Sequence, residues 1–302
     1  MQSMSFRFRK SESVADAVRR IAADQLDRAI ASLEQAPHDT DAVIHDIRRR
    51  CKRLRALIRL VRSSLTDFKE HDNRLRDTAA SLSQARDAAV ISATHATVVA
   101  RLEPTIDDEL SAAALRRIHG ANPTVMRAVH ERRSTLDAVN ERLATEREMV
   151  DAWKIEDAGF DAIRAELRVT YQRSRRAMRK TKRSLSSVDC HAWRKRVKYH
   201  AYQMGLLRAI WPGAMRARES LADELGDLLG DAHDLAVYRA AVGADLCNDN
   251  AHETLQTLGD TAERLRNQIL RQSWPLGDRL FVLKPNQFIE EMEAYWDTWR
   301  DA

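Results

Sequence analysis

The sequence predicts an all-α protein, and three observations predict it. Glycine and proline together make up 15 of 302 residues, too few turn formers for a chain rich in strands. Alanine, leucine, arginine and glutamate, all good helix formers, are frequent. Long stretches repeat apolar residues at alternating steps of three and four, the period of a buried helix face. A hydrophobic fraction of 44% with 31% charged residues excludes disordered and collagen-like chains. No stretch approaches the roughly 20 apolar residues of a membrane span. The opening MQSMSFRFRK lacks the apolar core of a secretion signal. The three cysteines, Cys51, Cys190 and Cys247, cannot form a disulfide framework. The expectation is a cytoplasmic protein in a reducing compartment.

Breakers punctuate the helices in order. Pro37 closes a first helix of about Glu12–Glu34. Thr40 or Asp41 suits the N-cap of a second, which runs to about Leu65. A third covers about Asp67–Arg101 and stops before Pro104. Shorter helices precede Gly120, and another spans about Pro123–Trp153. Gly159 marks the midpoint. The second half places helices over about Phe160–Leu185, Val188–Ile210, Ala214–Leu246, Asn250–Gln272 and Pro285–Arg300. Trp211-Pro212-Gly213 is a stop, and Phe281-Val282-Leu283 is too short to read as a strand.

This layout contains an internal repeat. Ile44, Ile47, Cys51, Leu54, Ile58, Val61 and Leu65 form an apolar seam on the second helix. Shifted by 146 positions it returns as Cys190, Trp193, Val197, His200, Met204, Leu207 and Trp211, broken only by His200. Thr40-Asp41 maps to Ser186-Ser187, so the caps match. LSQARDAAV (Leu82–Val90) aligns with LGDAHDLAV (Leu229–Val237), and upstream Ala79 and Ser83 match Gly226 and Gly230. Small residues four apart on a helix allow another backbone to come close. The repeat predicts two similar helical halves, about 10–155 and 156–300, related by an approximate two-fold axis.

The charge is unevenly placed. From His45 to Arg62 there are eight Arg/Lys and one acid, and from Arg164 to Arg208 fourteen Arg/Lys and two acids. The rest of the chain carries 28 bases and 42 acids, although the whole is only +5. One residue beyond the first seam lie His45, Arg48, Lys52, Arg55, Arg59 and Arg62, with Arg49 beside them. At 1.5 Å per residue this stripe is about 26 Å long, at the edge of a groove. Its second copy reads His191, Arg194, Lys198, Ala201, Gly205 and Arg208, flanked by Lys195. The helix before it adds Arg164, Arg168, Tyr171, Arg175, Arg179 and Lys182 at helical spacing, a strengthening absent from the first half. Like charges so spaced repel. Their counter-charge comes from acids on neighbouring helices or from a bound anion. The two basic segments point to a polyanion.

These residues resemble a known family. HDIRRRCKRLR (His45–Arg55) and HAWRKRVKYHAY (His191–Tyr202) are similar to the two signature helices of the CHAD family, the conserved-histidine α-helical domain. LSQARDAAV and LGDAHDLAV resemble its Leu-x-x-x-Arg/His-Asp-x-x-Val helices. YQRSRRAMRK (Tyr171–Lys180) resembles the basic helix opening its second half, and LFVLKPNQF its closing segment. The similarity spans about residues 10–300. It implies one domain of two pseudo-two-fold-related four-helix bundles. It also implies binding of inorganic polyphosphate in a basic central channel, location at polyphosphate granules, and granule-associated proteins as further partners. The residues matched to binding are His45, Arg48, Arg49, Lys52, Arg55, Arg59, Arg168, Arg175, Arg179, Lys182, His191, Arg194, Lys195 and Lys198. Departures stand at Ala201 and Gly205, and at His233 where its repeat mate is Arg86.

No catalytic residue, metal site or cofactor is expected. The Glu-x-Glu-x-Lys motif of the triphosphate-tunnel enzymes is absent, as are nucleophile motifs, Gly-rich phosphate loops and zinc spacings. Asp249-x-x-His252 is a single copy where di-iron bundles need a pair. Cys51 and Cys190 lie on the seams and read as core thiols. His45 and His191 suit either anion contact or a structural hydrogen bond. Asp87 and Asp234 suit partners that orient bases. A helical nucleic-acid binder and a scaffold for acidic proteins are the competing readings, since charge alone does not separate phosphate chains.

Overall fold

A computed structural model describes residues 6–34, 40–82, 84–102, 108–120, 132–156, 159–243 and 252–302. Eleven α-helices and one short 3-10 helix stand among them, without a strand. The first half holds α1 (Val14–Glu34), α2 (Thr40–Leu60), α3 (Phe68–Ser81), α4 (Gln84–Val99), α5 (Asp108–Gly120) and α6 (Arg132–Met149). The second holds α7 (Asp161–Ser184), α8 (Ser187–Leu206), α9 (Pro212–Gly243), α10 (His252–Leu280) and α11 (Pro285–Asp301). None of these helices is long and apolar enough to cross a membrane. Pro37, Ser83, Pro104, Pro123, Cys247 and Asp249 lie outside the described residues, as do the side chains of Arg86, Asp87 and His252.

Three helix ends differ from expectation for identifiable reasons. Helix α2 stops at Leu60. The chain then turns so that Leu65 meets Ile155 in an isolated antiparallel bridge, with Thr66 N–H donating to the Lys154 carbonyl at 3.1 Å. The helix expected over Asp67–Arg101 is two helices, because Leu82 leaves helical geometry between α3 and α4. Its repeat mate α9 runs unbroken for 32 residues. Helix α10 continues through Pro275 to Leu280. Proline removes one backbone donor there, but the burial of Leu280 and Phe281 holds the last turn to the core.

Packing follows the repeat. Helix α2 lies on α1 and α3, as α8 lies on α7 and α9, and α2 and α8 pack on each other at the centre. Every seam residue from Ile44 to Leu65 is buried, and so are those from Cys190 to Leu207. Trp211 is the exception, 47% exposed with its ring against Tyr295. Ser186 caps α8, its hydroxyl accepting the Asp189 N–H at 3.2 Å. The two thiols are core groups, and burial pushes Cys51 up to about 12. One apolar core runs from Ile21 and Leu57 to Trp193, Leu225 and Trp296, so it passes through both halves. A second, smaller core joins Ile91, Val98, Ala114 and Ile118 of α4 and α5 to Leu235, Tyr238, Val242 and Leu258 of α9 and α10. A buried carboxylate, Glu146, ties α6 to α3 by accepting from Arg74 Nε at 2.6 Å and meeting His71 Nδ1 at 2.6 Å.

His200, the break in the second seam, is fully buried among the rings of Tyr171, Phe281 and Phe288 at 5.7, 5.5 and 5.7 Å. Burial, and then Arg218, pushes its imidazole down to about 3. Unfolded, it takes up a proton near pH 6.5. The folded protein refuses that proton until about pH 3, so this residue makes stability fall as pH falls below 6.5. Replacing it with the residue at its repeat position, His200→Leu, should remove that dependence. Thermal melts should show the variant gaining about 2 kcal/mol on the wild type between pH 7.5 and 5. A difference that stays constant with pH would place the imidazole proton elsewhere.

Candidate anion-binding path between the central helices

A position one residue beyond a buried seam emerges at the edge of the core. Arg48, Lys52, Arg55 and Arg59 on α2, and His191, Arg194 and Lys198 on α8, are accordingly half-buried, whereas His45, Arg49 and Lys195 are exposed. Because α2 packs on α8, the two rows come together. Lys52 lies within electrostatic reach of His191, and Arg55 and Arg59 within reach of Lys195. Lys195 is held below the usual lysine value by burial, then by Arg196, Arg55 and Arg59. Arg196 is lowered by burial, then by Arg173 and Arg59. Arg196 and Arg173 thus join the cluster although the stripe did not include them. Arg196 sits on the other flank of its seam, and its only signal was the unbroken Arg194-Lys195-Arg196.

Part of the missing counter-charge comes from neighbouring helices. Asp72 of α3, almost buried, accepts from Arg55 Nε at 2.8 Å and from Arg59 Nη2 at 2.5 Å. Asp227 and Asp223 of α9 accept from Lys198 Nζ at 2.9 and 3.3 Å. Asp46 takes Arg49 and Arg50 on α2 itself. Arg48 Nη1 donates to the Ala79 carbonyl at 2.8 Å. Lys195 and Arg196 have no carboxylate partner among the described residues.

The small residues of α9 serve side chains, where the repeat suggested backbone approach. A methyl group at Gly226 would stand 2.7 Å from Lys198 Cε, and one at Gly230 would stand 3.1 Å from an Arg194 Nη atom. Both cations therefore lie flat against α9. The gap in the second stripe has a similar cause. Glu219 is the repeat mate of Asp72, and a methyl at Gly205 would meet its carboxylate at 2.9 Å. Glu219 crosses the space that an arginine fills in the first half and pairs with Arg208.

His191 lies against His233 with centroids 4.4 Å apart and ring planes tilted by 38°. Burial, followed by His233, Lys195, Arg194 and Lys52, lowers His191 to about 4, so its imidazole is neutral at pH 7. Asp234 makes no ion pair to a stripe base among the described residues. With burial and Asp227 it instead raises the carboxyl of Asp231. The row on α7 splits away from the path. Arg168 Nε donates to Asn286 Oδ1 at 2.8 Å, and Lys182 Nζ donates to both Asp278 oxygens at 2.7 Å. Arg175 lies beside the buried Tyr171, and Arg179 is exposed. These four face α10, α11 or solvent, not α2. No group of three metal-ligating side chains exists among the described residues.

A profile of the CHAD domain matches residues 16–243. The chain belongs to the CHAD domain family. Polyphosphate binding is the association of CHAD domains, and it connects this chain to polyphosphate. The profile ends with α9, so α10 and α11 complete the core beyond the matched CHAD segment. No curated protein sequence matches this chain. The solved structure of PptA from Streptomyces chartreusis superposes with a TM-score of 0.60 at 13% identity, over 90% of this chain and 100% of that one. At that identity the likeness is one of fold.

Asp72 is the acid that Arg55 and Arg59 share. Asp72→Asn should leave Arg55 and Arg59 at 18% and 19% exposure without a carboxylate. A loss of about 2 kcal/mol is expected, seen as a melting temperature lower by a few degrees. An unchanged melt would mean that the two guanidinium groups find another partner.

Proposed function

We propose that this CHAD domain binds inorganic polyphosphate, without cleaving it, along the path between α2 and α8. The observation that carries the reading is the convergence of Arg55 and Arg59 with Lys195 and Arg196 across the two central helices. Crowded cations that repel one another, three of them half-buried, gain from an anion laid between them. Guanidinium groups donate to phosphate oxygens in pairs, and ammonium groups act as mobile point charges. The neutral His191 adds a hydrogen bond without adding charge. Polyphosphate has no base to read, so charge and counterion release supply the affinity. Single-stranded nucleic acid draws part of its affinity from bases stacked on aromatic faces. Trp193 is fully buried, and Arg59 covers the ring of Tyr199 with its Cζ 5.1 Å from the centroid. Residence at polyphosphate granules, in contact with granule proteins, follows from the same reading.

With six or more phosphates engaged, binding should weaken by on the order of 10³ between 50 and 200 mM salt. A shallow slope in titrations would contradict a path of this charge. Lys52→Glu, Arg194→Glu and Lys195→Glu together should abolish polyphosphate binding while circular dichroism stays helical. Retained affinity would move the site elsewhere. RNA at equal phosphate concentration should fail to displace the chain, and purified protein should release no phosphate from it.

A further inference from the structure

Helix α7 carries a second basic row of which only Arg173 reaches the central cluster. Arg173, Arg176, Lys180 and Arg183 follow at steps of three, four and three, so they share one helix face. All four are exposed. Among the described residues only Lys180 has an acid, Asp189 at 2.7 Å. Lys180 aside, the row does not hold the fold together: α7 packs on α8, and its polar ties to α10 and α11 are made by its other side. There Arg164, Arg168 and Lys182 engage Glu293, Asn286 and Asp278. Nor does the repeat require it. The matching positions of α1 are Asp27, Ile30 and Glu34, and Asp27 is an acid paired with Arg147 at 2.7 Å.

The row adjoins the path. Helix α7 packs along α8, and Arg59 of α2 and Arg173 of α7 both lie within electrostatic reach of Arg196 of α8. Cations therefore run without a break from the groove between the central helices to the outside of α7. From Arg173 to Arg183 the row adds about 15 Å of helix. Its side chains are arginine and lysine alone, with no aromatic ring for a base.

We infer that the exposed face of α7 is an outer track for the same polyphosphate chain, met at Arg173 and followed past Arg176 and Lys180 to Arg183. The inference rests on the polyphosphate reading and deepens it. An oligophosphate shorter than the groove lies wholly between α2 and α8. A longer chain leaves the groove and neutralises the α7 row, so affinity rises with chain length beyond what the groove alone allows.

The test is Arg176→Glu with Arg183→Glu, both solvent-facing, titrated with an oligophosphate shorter than the groove and with a chain several times longer. Circular dichroism reports that the fold is kept. Long-chain affinity is expected to fall about tenfold or more, with a salt slope shallower by about two, while short-chain affinity stays unchanged. Equal losses for both lengths would show that the row acts only as a diffuse field, and no loss for either would show that the chain does not reach it. Both results overturn the track and leave the groove in place. Wild-type protein that binds neither length would overturn the polyphosphate reading, and the track with it.

Discussion

The packing of α2 against α8 decides the rest of this structure. Each helix brings a seam of apolar side chains to the centre, and burying a side chain the size of Ile47, Leu54 or Val197 is worth about 1.5–3 kcal/mol. That burial fixes how each helix is rotated. The residue after each seam position is then obliged to stand at the rim of the shared core, whatever its charge. Two unit charges about 8 Å apart at an effective dielectric of ~20 repel by about 2 kcal/mol. The many seam contacts outweigh several such repulsions, so the cations remain where the core puts them.

The protein manages this enforced crowding with acids and with missing side chains. Asp72 settles between Arg55 and Arg59, while Asp223 and Asp227 take Lys198. Gly226 and Gly230 let Lys198 and Arg194 lie down on α9. In the second half, Gly205 gives its space to Glu219, which turns to Arg208. The two halves thus reach different charge patterns on one backbone plan. The first half keeps five cations along its stripe, and the second is interrupted between Lys198 and Arg208, where a carboxylate stands.

Helix content, the seams and the repeat were legible because they rest on local periodicity, which survives without knowing what packs where. Half-burial of the stripe cations from Arg48 to Arg59, and of Arg194 and Lys198, was legible too, since one step from a buried position lies at the edge of the core. Three features were hidden because they depend on contacts between helices. Nothing in the order of residues says that Asp72 reaches Arg55, or that α7 turns Lys182 toward Asp278 and Arg173 toward Arg196. The α3–α4 break was hidden because the unbroken α9 was its nearest template. The run through Pro275 was hidden because tertiary burial of Leu280 overrode a breaker. Gly226 and Gly230 were noticed for their size but assigned to backbone approach, because spacing does not reveal which neighbour fills the space.

The smaller core has a consequence for the stability of the chain. Helices α4 and α5 belong to the first copy by sequence, yet Ile91, Val98, Ala114 and Ile118 are covered by Leu235, Tyr238, Val242 and Leu258 of the second. Cut free at Gly159, either copy would present a greasy surface that its own residues do not shield. Because this core is shared, the two halves hold or unravel as a unit.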